Sequence, residues 1–125
     1  MLGVRLGMFR RKRYERQEGT AYISGPITGV KDWEKNFDRA CKELKSWGFE
    51  VVHNPREIAE AVEMTCQAMG KKAEYKDYMK ADIRVLLNCT HIYMLAGWEN
   101  SRGAVLEKSI ADALGMEVIY ETERA

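Results

Sequence analysis

The stretch HIYMLAGWENSRGAVLEKSIADALGMEVIYE, residues 91–121, decides the fold class of this chain. Its first five residues are apolar almost throughout, a pattern typical of a parallel strand that is buried on both faces. A helix should follow and end at Leu114, because Gly115 stands where a helix-terminating glycine belongs. Residues 117–121 then predict another strand. A strand, a helix and a strand in this order predict parallel strands joined by a helical crossover.

The rest of the chain continues the same alternation. The expected elements are a strand at 20–24, a helix at 32–47, a strand at 49–52, a short helix after Pro55, a loop or broken helix at 63–75 and a helix at 75–87. We therefore predict an α/β protein with a single doubly wound parallel sheet, Rossmann-like or flavodoxin-like, of about four to five strands with helices on both faces. The domain should span residues 20–125 and follow a basic N-terminal tail at residues 1–19.

Composition excludes several classes of protein. The chain has 125 residues and a net charge of +1, so it fits one domain and its overall charge indicates no particular partner. Three cysteines without a Cys-x-x-Cys spacing and only two histidines argue against a disulfide framework and against a metal site. No apolar run approaches the roughly 18 residues of a membrane span, and the N-terminus is too short and interrupted for a secretory signal. We expect a cytoplasmic protein with no metal, no cofactor and no membrane partner.

One segment is strongly basic. RRKRYER, residues 10–16, carries five basic residues against one acidic residue. Such a run is typical either of an arm that binds nucleic acid or phosphate, or of a solvated tail without a partner. The solvated tail is the preferred interpretation, so nucleic acid is not the expected partner.

Polar or glycine-rich residues follow three of the predicted strands. They are the segments Ser24 to Gly29, His53 to Pro55 and Ala96 to Ser101. In an open parallel sheet the carboxyl ends of the strands lie at one edge, and ligands bind in the crevice there. These segments should therefore converge on one site. SGPITG, residues 24–29, lacks the spacings of a Rossmann fingerprint and of a P-loop, so a ligand contact and a plain turn both stay open.

The helix after the third segment has an anion-binding start and carries a candidate catalytic acid. Asn100 or Ser101 can cap this helix, whose free N–H groups favour a phosphate, although most such caps hold no ligand. Glu107 lies one turn beyond Gly103 on the same face, and the glycine should leave open space over it. Asp82, on the preceding helix, is a second acid. The two can act as nucleophile and acid/base at a sugar carbon, or each can be a surface charge.

A combination of segments between Thr20 and about Tyr120 is specific, although each is weak alone. They are YISGPITG (22–29), HNP (53–55), Asp82, CTHIYML (89–95), GWENSRGAVLE (97–107) and ADALG (111–115). In this combination the chain resembles the nucleoside 2-deoxyribosyltransferase superfamily, and most closely its small phage and prophage branch. The resemblance implies a doubly wound α/β fold and homo-oligomers, dimers or tetramers, whose sites lie near subunit contacts.

The resemblance also implies roles for individual residues. Enzymes of the superfamily cleave the N-glycosidic bond of deoxynucleosides or of their 5′-monophosphates. Glu107 falls on the glutamate that attacks the anomeric carbon, and Asp82 falls on the aspartate that assists at the base. Ser101, Gly103 and Glu107 match the pattern SxGxxxE of the monophosphate-cleaving branch. The transferase branch has an aspartate where Ser101 stands, which argues against base exchange between free nucleosides. Thr90 stands where the family often shows an acid.

The phage-type relatives imply a different function. Some resemble anti-defence sponges of the anti-Thoeris type, which bind cyclic ADP-ribose signals of bacterial immune systems without cleaving them. Our first hypothesis is therefore sequestration of a nucleotide-derived signal, of the cyclic ADP-ribose type or a cyclic nucleotide, in the cytoplasm of a bacterial host cell. The alternative is a deoxynucleotide N-glycosidase or 2-deoxyribosyltransferase that uses Glu107 as nucleophile and Asp82 beside it.

Both hypotheses use one predicted site. Trp98 can stack on a base there, or it can be a tryptophan at the edge of the core. The predicted ligand-binding residues are Tyr22, Ser24, Gly25, Pro26, Ile27, Thr28, Asn54, Asp82, Gly97, Trp98, Asn100, Ser101, Gly103 and Glu107.

Overall fold

A computed structural model describes residues 18–121 of the chain. Within this range four strands alternate with four α-helices. The elements are β1 (Thr20–Ser24), α1 (Trp33–Ser46), β2 (Val51–His53), α2 (Pro55–Ala68), α3 (Tyr75–Leu86), β3 (His91–Met94), α4 (Arg102–Ala113) and β4 (Glu117–Tyr120), with a 3₁₀ turn at Trp98–Asn100. The basic segment 10–16, on which the nucleic-acid hypothesis depends, lies outside the described residues.

The strands form one parallel sheet in the order β2-β1-β3-β4. The chain leaves β1 towards β2 on one side and leaves β3 towards β4 on the other. The strand order therefore reverses between β1 and β3, which makes this the topological switch point of a doubly wound sheet. The predicted fold class, a Rossmann-like α/β protein with a four-stranded parallel sheet, is confirmed.

Alternation along β1 separates two cores on the two faces of the sheet. Ala21 and Ile23 pack with Phe37 and Leu44 of α1 on one face. Tyr22 packs on the other face with Leu86 of α3, and α4 contributes Ala104 and Ala111 to the same cluster. Successive strand residues point to opposite faces, so Tyr22 and Ser24 both face α4. This arrangement brings the polar end of β1 next to the start of α4.

Helix α2 is longer than the sequence pattern predicts. The expected loop or broken helix at 63–75 is wrong for residues 63–68, because α2 continues without a break to Ala68. Asn54 caps its start by accepting the Arg56 N–H at 3.0 Å, and Pro55 occupies the first turn, where its missing N–H costs nothing. Met64 is 71% exposed whereas Cys66 is 5% exposed, so apolar residues lie on both the exposed and the buried side of this half. This mixture weakens the helical periodicity of the segment.

Two smaller features also bear on the sequence predictions. Strand β2 covers only Val51–His53 and begins two residues later than expected, because Phe49 still bonds back to the carbonyl of Leu44 at the end of α1. Gly115 has φ of +69° and ends α4, as expected. Between residues 18 and 121 none of the helices combines the length and the apolarity that a membrane crossing requires.

Candidate functional site

A cavity of about 60 Å³ opens at the carboxyl end of β1, beside the point where the strand order reverses. It lies where β1, α1, α3 and the start of α4 come together. Crevices at such switch points are where open α/β sheets bind ligands. The lining residues are Tyr22, Ile23, Ser24, Gly25, Ile27, Thr28, Phe37, Pro55, Met79, Asp82, Ser101, Gly103, Ala104 and Glu107.

Two hydroxyl groups of β1 hold the carboxylate of Glu107. Tyr22 and Ser24 are two residues apart on the strand, so their side chains point in the same direction. The Tyr22 hydroxyl donates to Oε2 of Glu107 at 2.8 Å, and the Ser24 hydroxyl donates to Oε1 at 2.6 Å. Each carboxylate oxygen thus has its own donor, which fixes the orientation of the group.

Helix α4 brings Glu107 to these donors. Ser101 caps the helix by accepting the Ala104 N–H at 3.2 Å, so it is the cap of the two that the sequence offered. Ala104, Glu107 and Ala111 are its buried residues, at spacings of three and four, so this face packs on the sheet. The alanines let the helix approach the strands closely, and the glutamate reaches β1 as a result.

Burial and hydrogen bonding shift the pKa of Glu107 in opposite directions. The residue is only 5% exposed, and desolvation raises the pKa of its carboxyl above the ordinary value. The hydrogen bonds from Ser24 and Tyr22 favour the ionised form and partly offset this rise. Burial, followed by the charge of Glu107, raises the pKa of Tyr22 well above its ordinary value, so its hydroxyl stays protonated and remains a donor.

Asp82 is the second buried acid of the cavity. It lies in α3 and is 9% exposed. Burial and then the charge of Glu107 raise the pKa of its carboxyl to about 7. Both influences favour the protonated form, whereas Glu107 receives two hydrogen bonds that favour ionisation. Near neutral pH the pair can therefore divide into one neutral acid and one carboxylate.

Gly103 lets α3 and α4 approach each other at the cavity. A Cβ atom at this position would lie 3.2 Å from Sδ of Met79 and 3.5 Å from the hydroxyl oxygen of Tyr75. The expected open space over the Glu107 face is therefore limited, since side chains of α3 lie close to Gly103. The glycine still lines the cavity, but its first effect is to let these side chains pack against the helix start.

Nine of the fourteen predicted ligand-binding residues line the cavity. They are Tyr22, Ser24, Gly25, Ile27, Thr28, Asp82, Ser101, Gly103 and Glu107. At Gly25 a Cβ atom would lie 2.7 Å from Cβ of Leu95. Packing against Leu95 therefore explains the glycine without a ligand contact.

The other five predicted residues are not among those that line the cavity. Gly97 has φ of +85° and lies against Pro26, and Asn100 ends the 3₁₀ turn. Asn54 caps α2 and donates to Asp38 at 3.0 Å. Trp98 packs on the second core cluster, with its ring 6.2 Å from that of Tyr120 and 5.9 Å from Nζ of Lys108.

Four lining residues were not indicated by the sequence, namely Ile23, Phe37, Met79 and Ala104. They are apolar core or helix-packing side chains, which carry no chemical signal. Pro55 also lines the cavity, and it belongs to the segment His53 to Pro55 that was expected at the site, although it was not among the predicted ligand-binding residues. Phe37 and Met79 belong to the apolar residues that recur at three- and four-residue steps in the segments 32–47 and 75–87, so periodicity predicts their helix face but not that this face lines a cavity. Among the described residues no group of three His, Cys, Asp or Glu side chains is placed to hold a metal ion.

Comparison with protein families returns a match over most of the chain. A family model described as a domain of unknown function (DUF4406) matches residues 19–120, a range that contains every residue lining the cavity. No match is found among curated proteins or among solved structures. The chain belongs to the DUF4406 family of domains of unknown function.

Proposed function

We propose that the cavity hydrolyses the N-glycosidic bond of a 2′-deoxynucleoside 5′-monophosphate, with Glu107 as nucleophile and Asp82 as general acid and base. The observation that carries the proposal is the opposite environment of the two acids. Glu107 accepts hydrogen bonds from Tyr22 and Ser24, while burial and the neighbouring charge hold the pKa of Asp82 at about 7. Glycosidases that form a covalent intermediate need such a pair, one ionised and one protonated.

The proposed reaction proceeds in two steps. An oxygen of Glu107 forms a bond to C1′ of the sugar while the bond from C1′ to the base nitrogen breaks. The electron pair of that bond stays on the base, which takes the proton of Asp82. Water then attacks C1′ of the glycosyl ester and gives its proton to Asp82. This step releases 2-deoxyribose 5-phosphate and restores the carboxylate of Glu107.

The start of α4 supplies the proposed phosphate site. Ser101 and Gly103 line the cavity on the same helix as Glu107, and the N–H groups of the first turn favour an anion. The spacing of Ser101, Gly103 and Glu107 also matches the monophosphate-cleaving branch of the superfamily that the chain resembles. A phosphate held there places the sugar near Glu107, one to two helical turns away.

The described cavity accommodates only part of a nucleotide. Its volume of about 60 Å³ is well below the roughly 300 Å³ at which ligand pockets begin. The bound nucleotide therefore extends out of the cavity. We therefore also propose that the protein forms a homodimer or tetramer in the bacterial cytoplasm. In this assembly a neighbouring subunit covers the mouth of the cavity.

Binding without cleavage is the second candidate, and one observation favours it. Burial raises the pKa of Glu107 as well, and a neutral glutamic acid donates a hydrogen bond rather than attacking a sugar carbon. In this candidate the cavity sequesters a signal of the cyclic ADP-ribose type or a cyclic nucleotide for a phage, as an anti-defence sponge. Glu107 and Asp82 then bind ribose hydroxyls or the base.

One incubation distinguishes the two candidates. The protein is mixed with a panel of deoxynucleoside and ribonucleoside 5′-monophosphates, with the free nucleosides, and separately with cyclic ADP-ribose isomers. Chromatography and mass analysis follow, before and after heat denaturation. Free base from a deoxynucleoside monophosphate is the expected result. A cyclic ligand that stays bound and is released intact by heat, together with no free base, would replace hydrolysis by sequestration.

Two variants connect the result to the cavity. Glu107→Gln removes the nucleophile with little change in shape, and we expect turnover to fall by at least about a thousandfold. Glu99→Gln is the matched control, because Glu99 is exposed on the neighbouring 3₁₀ turn and does not line the cavity. Equal activity of Glu107→Gln and the control would show that the base is released elsewhere.

A further inference from the structure

Glu121, at the end of β4, joins two elements that form the site. Its Oε1 accepts the N–H of Ala96 at 2.8 Å, and its Oε2 accepts from Nη2 of Arg39 on α1 at 2.9 Å. The paired registers of β3 and β4 end at Met94 and Tyr120. Ala96 thus lies beyond the last strand pair, and a side-chain carboxylate continues the hydrogen bonding there.

The bond to Ala96 anchors the loop that leads into α4. Within this loop, residues 95–101, the N–H groups of Trp98, Asn100 and Ser101 donate to carbonyls three residues back. These turns run without interruption from the anchored end to Ser101, whose hydroxyl caps α4. The Leu95 N–H separately donates to the carbonyl of Ser24 at 2.8 Å, so we expect loss of the Ala96 bond to shift the loop and the first turn of α4 without detaching the loop from β1.

The second arm of Glu121 fixes the loop relative to α1. Arg39 lies two residues after Phe37, which lines the cavity, and Nη1 of Arg39 also donates to Asn36 at 3.1 Å. The Glu121 side chain is 18% exposed, whereas that of Arg39 is 55% exposed. Solvent screens the exposed arginine, so we expect the ion pair to contribute less than the hydrogen bond to the Ala96 N–H.

We propose that Glu121 is a positioning residue, which holds loop 95–101 so that Ser101 and the first turn of α4 face the cavity. This inference rests on the proposed function for its effect on a reaction, but its structural part does not. Glu121 is outside the cavity lining, so it acts on the phosphate end of the substrate through the loop. Loss of Glu121 should impair substrate binding and leave the attack by Glu107 nearly unchanged.

The test compares Glu121→Ala and Glu121→Gln with Glu117→Ala. Glutamine keeps an oxygen for the Ala96 N–H and loses only the exposed ion pair, whereas alanine loses both contacts. Glu117 is the matched control, because it begins the same strand, at the end of the sheet opposite to the cavity. There its Oε2 lies 3.2 Å from Nε2 of His91. The readouts are KM and kcat for deoxynucleoside monophosphates and amide hydrogen exchange of residues 96–101.

We expect Glu121→Ala to raise KM by up to about tenfold, the limit set by the net contribution of one ordinary hydrogen bond to the position of the loop. The value of kcat should stay within about threefold, and Glu121→Gln should restore KM to near that of the unmodified protein. Amide exchange should accelerate at Asn100 and Ser101 as well as at Ala96. An equal rise of KM in Glu117→Ala, or no rescue by glutamine, would overturn the inference.

Exchange decides the question independently of activity. If the unmodified protein hydrolyses no nucleotide, the proposed function fails, and faster exchange at Asn100 and Ser101 in Glu121→Ala still supports the positioning role. Acceleration confined to Ala96 overturns it. Glu121→Asp is the milder variant should the alanine protein not fold, because it is one methylene too short to reach both partners. Unchanged exchange throughout residues 96–101 in Glu121→Asp would also overturn the inference.

Discussion

Replacing Asp82 with asparagine should increase the free energy of unfolding relative to the unmodified chain by an amount that grows as the pH rises. Asparagine has nearly the same shape and removes the charge. Burial and the charge of Glu107 raise the pKa of Asp82 from 3.8 to about 7 in the folded protein. The native state therefore keeps a proton that the unfolded chain releases above about pH 4.

The sign and the size of the effect follow from this difference. Because the native state binds more protons, its stability falls as pH rises from about 4 to about 7 and stays lower above that range. A difference of about three pKa units corresponds to about 4 kcal/mol at about pH 8, at 1.36 kcal/mol for each unit. About 1 kcal/mol of this loss is already present at about pH 4.5. Between these two pH values Asp82→Asn should therefore gain about 3 kcal/mol over the unmodified protein.

Urea denaturation at the two pH values measures this gain. Comparing each protein with itself cancels the pH-independent effect of burying an amide in place of an acid. Glu60→Gln is the control, since Glu60 is exposed on α2 and the substitution makes the same change from acid to amide outside the cavity. A gain below about 1 kcal/mol for Asp82→Asn would mean that Asp82 is ionised in the folded protein. The reasoning that makes it a general acid would then fail.

Two further predictions concern Ser24, which lines the cavity, and Trp98, which does not. Ser24→Ala removes the hydroxyl that donates to Glu107 at 2.6 Å, so the pKa of Glu107 should rise. The acid limb of the pH–rate profile should then move to higher pH. An unchanged limb would show that Ser24 does not stabilise the ionised form of Glu107. Trp98→Ala should lower the free energy of unfolding by about 2 kcal/mol, because the half-buried ring packs on the second core, while nucleotide affinity stays within about threefold. Calorimetry of binding tests the second part, and a tenfold loss of affinity would place Trp98 at the ligand.

The strands and most helices could be predicted because their signals are local. The strand at 20–24 and the helix at 75–87 follow from apolar spacing and from neighbouring turn residues, and the structure has them at Thr20–Ser24 and Tyr75–Leu86. The second half of α2 was not predicted as a regular helix, because Met64 is apolar but exposed and only Cys66 of this half is buried, so the apolar spacing is ambiguous. Periodicity reports burial, so a helix half that packs little gives little signal.

The place of the cavity was predictable, and its lining only partly so. The rule for parallel sheets located the carboxyl ends of the strands, and the cavity lies at that edge. The rule could not separate Ser24, which bonds Glu107, from Gly25, whose backbone approaches Leu95 closely. Tyr22 and Glu107 are 85 residues apart, and only the register of β1 against the start of α4 brings their side chains together.

The two buried acids oppose the stability of the domain that holds them. A buried carboxyl with a raised pKa destabilises the folded state wherever it ionises, and a neutral side chain of the same volume would not. Packing alone therefore does not account for Asp82 beside Glu107, both at most 9% exposed. Tyr22 and Ser24 direct their hydroxyls to one acid of the pair, and this asymmetry is what acid and nucleophile roles require. The proposed reaction at a sugar carbon depends on this difference between the two acids.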